Sequence, residues 1–144
     1  MPDRSIRSVI GERQPVCVSA TMKVCDAARV MKEHNVGALL IVDDEGRLTG
    51  IFTERDAVFR VLAGKHDIGT MQVRQAMTRN PKTIEPDKAF GHALLMMFDG
   101  GFRHVPVVEN GRPIGVVSAR DALGPELREF DAELDHRDHL REIM

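Results

Sequence analysis

Apolar side chains recur at helical spacing in two stretches of the chain. Val24, Ala27, Ala28 and Met31 fall at i, i+3, i+4 and i+7, and so do Phe90, Ala93, Leu94 and Met97. Each set is the buried stripe of an amphipathic helix. Thr21 and Asp87, just upstream, are residue types that cap helix N-termini. Two short apolar runs about a turn follow each stretch: Ala38 to Val42 with Leu48 to Phe52, and His104 to Val108 with Pro113 to Val117. These predict β-hairpins, the second marked by Asn110-Gly111, which tolerates positive φ at both residues. A second helix is expected just after Thr53 and just after Ser118, with Ala57, Val58, Val61 and Leu62 as apolar positions in the first. Short strands near Val16 to Ser19 and Lys82 to Glu85 complete the pattern. The chain spells β-α-β-β-α twice.

A constant offset lays Pro15 on Pro81, Val18 on Ile84, Ala27 on Ala93, Met31 on Met97 and Val42 on Val108. It drops by one residue at the turn, where Asp43-Asp44-Glu45-Gly46 faces the shorter Glu109-Asn110-Gly111. A slip confined to a turn fits two copies of one unit, because loops tolerate length changes that strands do not. The duplication is clearest in one phrase, Gly50-Ile51-Phe52-Thr53-Glu54-Arg55-Asp56 and Gly115-Val116-Val117-Ser118-Ala119-Arg120-Asp121. A repeated polar phrase closing a repeated strand predicts two equivalent binding sites.

Composition narrows the function classes. The 144 residues suit one compact domain or two small interlocked repeats. Each copy, about 60 residues, buries too little core alone, so the copies should pack face to face. A net charge of −2 gives no general pull toward nucleic acid, and without Trp or Tyr there is no platform for stacked bases. Cys17 and Cys25 are too few for a disulfide framework or a zinc knuckle. The N-terminus lacks an apolar leader and no run approaches a membrane span, so a cytoplasmic location is the expectation.

The two β-α-β-β-α copies with their G-h-h-[ST]-x-x-D phrases resemble a tandem pair of cystathionine β-synthase (CBS) domains, a Bateman module, over about Ser8 to Leu123. The resemblance implies an α+β fold of α/β-type repeats, packed as a pseudo-twofold disc with two clefts. Repeat one would cover 1–63, a linker 64–72, repeat two 73–124 and a C-terminal helical extension 125–144. It further implies a homodimer and an adenosine-containing ligand, AMP, ADP or ATP, acting as regulator, with no cofactor required. Asp56 and Asp121 would then hold ribose hydroxyls, and Thr53 and Ser118 would reach ribose or phosphate. Backbone groups around Val18 and Ile84 would meet the adenine edge.

The copies differ on the phosphate side. Repeat two carries Arg103-His104 before its hairpin and Lys82 on its first strand, whereas Gly37-Ala38-Leu39 in repeat one has no charge. One competent cleft and one weak one are expected. Arg55 and Arg120 sit beside their aspartates in a first helical turn, where the dipole disfavours a cation, so either contacts phosphate or forms a salt bridge.

Other readings use the same residues. Thr-x-x-Asp and Ser-x-x-Asp are also capping boxes, in which hydroxyl and carboxylate satisfy free N–H groups. The pair could then be a ligand-free scaffold for dimerisation. S-adenosylmethionine, which lacks phosphate, and NAD are alternative ligands. His136 and His139 have a spacing that could clamp a metal, but on an acidic helix they read as a solvated face, and no metal site is assigned. No catalytic constellation is found, so the chain is not expected to be an enzyme. In the tail, Leu127, Phe130 and Leu134 trace a short apolar stripe that could seal the fold, extend a dimer contact or dock an unidentified regulated protein.

Overall fold

The computed structural model of the chain describes residues 4–143, without the side chains of Pro125 and 140–143. The ends of the sequence-derived boundaries, 1–3 and 144, lie outside the described residues. In chain order the elements are α1 (Ile6–Ile10), β1 (Cys17–Ser19), α2 (Val24–His34), β2 (Ala38–Val42), β3 (Leu48–Thr53), α3 (Glu54–Asp56), β4 (Thr78–Arg79), α4 (Phe90–Gly100), β5 (His104–Glu109), β6 (Arg112–Ser118) and α5 (Gly124–Ile143). Strands β1 to β4 form one sheet in sequence order, with β1 parallel to β2 and the rest antiparallel. Strands β5 and β6 form the second hairpin. Asn110 and Gly111 take φ of 55° and 78° at its turn, as their types predicted. The predicted strand at Lys82 to Glu85 is reduced to one parallel bridge, Ile84 to Val107.

Strand β2 is buried on both faces, which explains its unbroken apolar run. Side chains alternate across a strand, so Leu39 and Ile41 pack with α2 residues while Ala38 and Leu40 face the other way, with Ile51 and Val116. Val116 belongs to repeat two, so the repeats meet sheet to sheet. Repeat two has its own core of Phe90, Ala93, Leu94, Met97, Val105, Val107 and Val117.

Two segments cross over. Ile6 and Ile10 of α1, on the leader ahead of β1 in repeat one, are buried in the core of repeat two. Met71 of the linker, with Val73 and Ala76 on the leader ahead of β4 in repeat two, fills the core of repeat one. The backbone repeats the exchange bond for bond. Phe90 N–H donates to the Arg4 carbonyl and Val24 N–H to the Met71 carbonyl, both at 2.8 Å. These carbonyls do the work expected of Thr21 and Asp87: the N-caps are Lys23 and Ala89, neither with a side-chain cap bond. The exchange also explains the first residue of the phrase. A Cβ on Gly50 would lie 2.6 Å from Met77 Sδ, and one on Gly115 would lie 3.0 Å from Ile10. Each leader crosses the other repeat's glycine.

The second helices differ from each other. After Asp56 the helix widens into π-type turns over Ala57–Leu62, which turn Val61 inward and leave Val58 and Leu62 exposed. Only two of the four expected apolar positions, Ala57 and Val61, therefore pack on the core of repeat one. After Ser118 there is a single 3-10 turn, Ala119–Asp121, and helix resumes only at Gly124. Phe130 and Leu134 of α5 pack on the core of repeat two, whereas Leu127 is exposed. Among the described residues no helix is long and apolar enough to cross a membrane.

Candidate functional site

The duplicated phrases end β3 and β6 and place each hydroxyl residue at the start of a helical turn. In repeat one the capping box closes in both directions. Asp56 N–H donates to Thr53 Oγ1 at 3.2 Å, and Asp56 Oδ2 accepts from Thr53 N–H at 2.9 Å and from its hydroxyl at 3.1 Å. Asp56 is only 7% exposed, and Arg60 Nε lies 3.5 Å from its Oδ1. In repeat two Asp121 Oδ2 accepts from Ser118 N–H at 2.8 Å, and Arg13 grips the same carboxylate with two bonds, at 2.7 and 3.2 Å.

Asp121 opens onto a cleft of about 370 Å³ between the repeats. One wall is the chain leading into β1, Arg13 to Val16, with the α2–β2 corner, Asn35 to Ala38. The other wall is His104, Val116, Ser118 and Arg120. The corner exists because Asn35 ends α2 in the left-handed region, with φ of 52°. Gly37 beside it leaves room for Glu54 of the same repeat and for His104 of the other wall: a Cβ there would lie 2.3 Å from Glu54 Oε1 and 3.3 Å from His104 Nε2. The cleft thus offers apolar surface from Val16, Val36, Ala38 and Val116, a carboxylate, a hydroxyl residue and two arginines. Its volume suits a small organic molecule.

Burial would raise the Asp121 carboxyl, but the bonds from Arg13 and Ser118 N–H, with the charges of Arg13 and Arg4, hold it below the usual carboxylate range. His104 moves the other way. Burial lowers its pKa, the Glu54 and Asp121 carboxylates oppose this, and Arg120 and Arg103 add to it. Its ring is neutral near pH 7 and can both donate and accept. Arg4 fixes the turn from behind, donating to the Asp121 carbonyl at 2.8 Å and pairing with buried Glu126 at 2.6 Å.

Of the residues singled out from the sequence, Asp121, Ser118, Arg120 and His104 line this cleft together. Arg103 is exposed beside His104, and its carbonyl accepts from Ala119 N–H. Lys82 is exposed and outside the cleft lining. Ile84 has its N–H donated to Pro106 and its carbonyl taken by Val108, and its side chain is in the core. Val18 pairs with Ile41 and is likewise core. Thr53 and Asp56 occupy the equivalent place in repeat one, under Arg60. Arg55 lies over the Phe59 ring, 5.4 Å from its centroid. The sequence reading missed Arg13 and the α2–β2 corner. A signal for Arg13 was present: Arg13-Gln14-Pro15 and Arg79-Asn80-Pro81 match at the offset that pairs Pro15 with Pro81.

The CBS domain profile matches residues 6–63 and 73–124. An uncharacterized 17.7 kDa protein of the bps2 3′ region in Acidianus ambivalens is 38% identical over 115 residues, covering 79% of this chain and 68% of that one. Other relatives are longer: the chain spans 60% of a Methanopyrus kandleri protein and 20% of the CBS domain-containing protein CBSCBSPB1 of Arabidopsis thaliana. Among solved structures, the CBS-domain containing protein ATU1752 from Agrobacterium tumefaciens superposes with a TM-score of 0.75 at 33% identity, over 81% of this chain and 94% of that one. The CBS domain pair of protein MJ0100, in complex with 5′-methylthioadenosine and S-adenosyl-L-methionine, gives 0.74 at 28%, over 81% and 94%. Both halves of the duplication are thus accounted for by one known unit, and the chain belongs to the CBS domain family, with two such domains in tandem.

Proposed function

We propose that this CBS pair is a regulatory module that binds an adenosine-containing ligand, AMP, ADP or ATP, in the cleft beside Asp121. The observation that carries the reading is the convergence there of a carboxylate, two arginines and an apolar wall from both repeats. A ribose diol donates two hydrogen bonds to a carboxylate, charge-assisted and stronger than neutral ones. Adenine suits the surface of Val16, Val36, Ala38 and Val116, and Arg13 and Arg120 suit phosphate. The MJ0100 pair was solved with two adenosine-containing compounds, which supports the ligand class. Phosphate-bearing ligands rank above S-adenosylmethionine because the cleft is rich in arginine. NAD shares the adenosine half and stays in the comparison. Because the walls belong to different repeats, a ligand that fits one arrangement better shifts the population toward it. The output would be a second copy or an unidentified regulated protein.

A second reading also has an observation behind it. Both aspartates are engaged within the chain, and Val58, Phe59 and Leu62 of the π-type stretch stand exposed with Leu95 and Phe98 of α4. Such a pair could serve chiefly to dimerise.

A thermal-shift series with AMP, ADP, ATP, NAD, S-adenosylmethionine and 5′-methylthioadenosine separates the two, with Asp121→Ala alongside. A ligand at a hundredfold its Kd adds about 2.7 kcal/mol, several degrees in Tm. The sensor reading expects such a shift with AMP or ATP and its loss in Asp121→Ala. No shift with any of the six compounds leaves the scaffold reading.

A further inference from the structure

Within the chain itself, both oxygens of the Asp121 carboxylate are occupied. Arg13 Nη1 donates to Oδ1 at 2.7 Å and Nη2 to Oδ2 at 3.2 Å, while Ser118 N–H takes Oδ2 as well. A diol that takes one bond to each oxygen has to break the Arg13 fork, because Oδ2 already accepts both from Arg13 and from Ser118 N–H. The equivalent aspartate in repeat one is covered by Arg60, four residues further along the same helix. Repeat two cannot copy that arrangement. Four residues after Asp121 the sequence has Pro125, and the helical turn is broken before α5 begins at Gly124. The cover comes from far away in sequence, on the segment between α1 and β1.

The two partners are held unequally. Asp121 has a side chain 16% exposed and is fixed by its own turn, whereas the Arg13 side chain is 52% exposed on a short connecting segment. The arginine is the partner free to move. It already lines the cleft, as does Arg120.

We propose that Arg13 is both gate and anion reader of this cleft: a ligand that takes Asp121 through a vicinal diol releases Arg13, and the freed guanidinium pairs with an anionic group of the same ligand. The inference rests on the nucleotide reading above and names the residue that chooses among adenosine compounds. For a phosphorylated nucleoside the exchange is favourable, because Arg13 leaves a half-exposed ion pair and gains a charge-assisted bond to an anionic group held in the cleft. A neutral nucleoside breaks the Arg13–Asp121 pair and offers nothing in return. Arg13 also lies three residues after Ile10, whose side chain is buried in repeat two, so its release bears on the exchanged leader.

The test is calorimetric titration of the full chain with AMP and with adenosine, compared with Arg13→Gln, Arg13→Lys and Arg7→Gln. Arg7 pairs with Glu109 on the exposed surface away from the cleft, so Arg7→Gln controls for loss of an ordinary leader ion pair. Thermal melts confirm that each variant folds. In Arg13→Gln, adenosine should tighten about two- to fivefold, the range of an exposed ion pair. AMP should weaken about tenfold or more, as for a lost charged hydrogen bond, so the preference for AMP collapses. Arg13→Lys should keep part of that preference, and Arg7→Gln all of it. Adenosine binding seen only in Arg13→Gln also supports the gate. Equal changes for both ligands, or none, overturn the gate and leave the nucleotide reading standing. Absence of binding by both compounds to every protein removes the nucleotide reading, and the gate with it.

Discussion

His104 occupies the place in repeat two that Ala38 holds in repeat one, at the start of β5 on the layer between the sheets. Its folded pKa lies below the ordinary value, chiefly through burial. The unfolded chain therefore takes up a proton that the folded chain refuses as pH falls below about 6.5. Stability from the neutral ring is complete above that value and is lost on the way down to the folded pKa. Chemical denaturation at about pH 7.5 and about pH 5.5 should show wild type losing more stability than His104→Gln. Equal losses would place the acid sensitivity in other groups. Asp121 works in a separate window: its lowered carboxyl contributes above about pH 4 and fails only as pH falls through its folded value. Residue by residue, the phrase could be read from sequence because it is local, with Ser118 and Asp121 in one turn. Arg13 could not, although its Arg-x-Pro is duplicated, because what it touches is set by the crossing of the leaders and not by spacing.

The exchanged segments are where the elements depart most from a simple tandem. Ile10 is buried in repeat two against Gly115, so Ile10→Ala leaves a cavity there and should cost about 2–5 kcal/mol. Hydrogen exchange should show where. Amides at Val105, Val107 and Val117 should lose protection before those at Leu39 and Ile41. Uniform loss across both repeats would mean that they open as one unit. The hairpins were legible because turn types and β-periodicity are properties of a few neighbouring residues. The helix caps were not, since the groups that satisfy α2 and α4 are the carbonyls of Met71 and Arg4, remote from Thr21 and Asp87 in role. The π-type widening after Asp56 was equally hidden. It turns Val58 and Leu62 out of a stripe that a regular helix would bury.

For the whole molecule the question is what meets the outer apolar face. Phe59 is 65% and Leu62 66% exposed, unusual for side chains of this kind on adjacent turns. A second copy of the chain is the proposed occupant. Light scattering should give twice the mass of 16.1 kDa, and Phe59→Glu should shift it toward the single chain. The folding stability of that chain should change by about 0.5 kcal/mol or less, as for other surface substitutions. A mass unaffected by Phe59→Glu would move the interface elsewhere.

The crossing of the leaders also governs what happens when the chain is cut. The stretch from Ala63 to Thr70, between the two repeats, is turn and exposed surface. A nick there separates the molecule into two pieces, each carrying the strip of side chains that the other's interior lacks: Ile6 and Ile10 on one, Met71, Val73 and Ala76 on the other. Neither half keeps a complete core by itself, and each carries the side chains that complete its neighbour's. The repeat that looks like the unit of this protein in sequence is therefore not its unit of assembly, and a split version would behave as two obligate halves that reconstitute one fold.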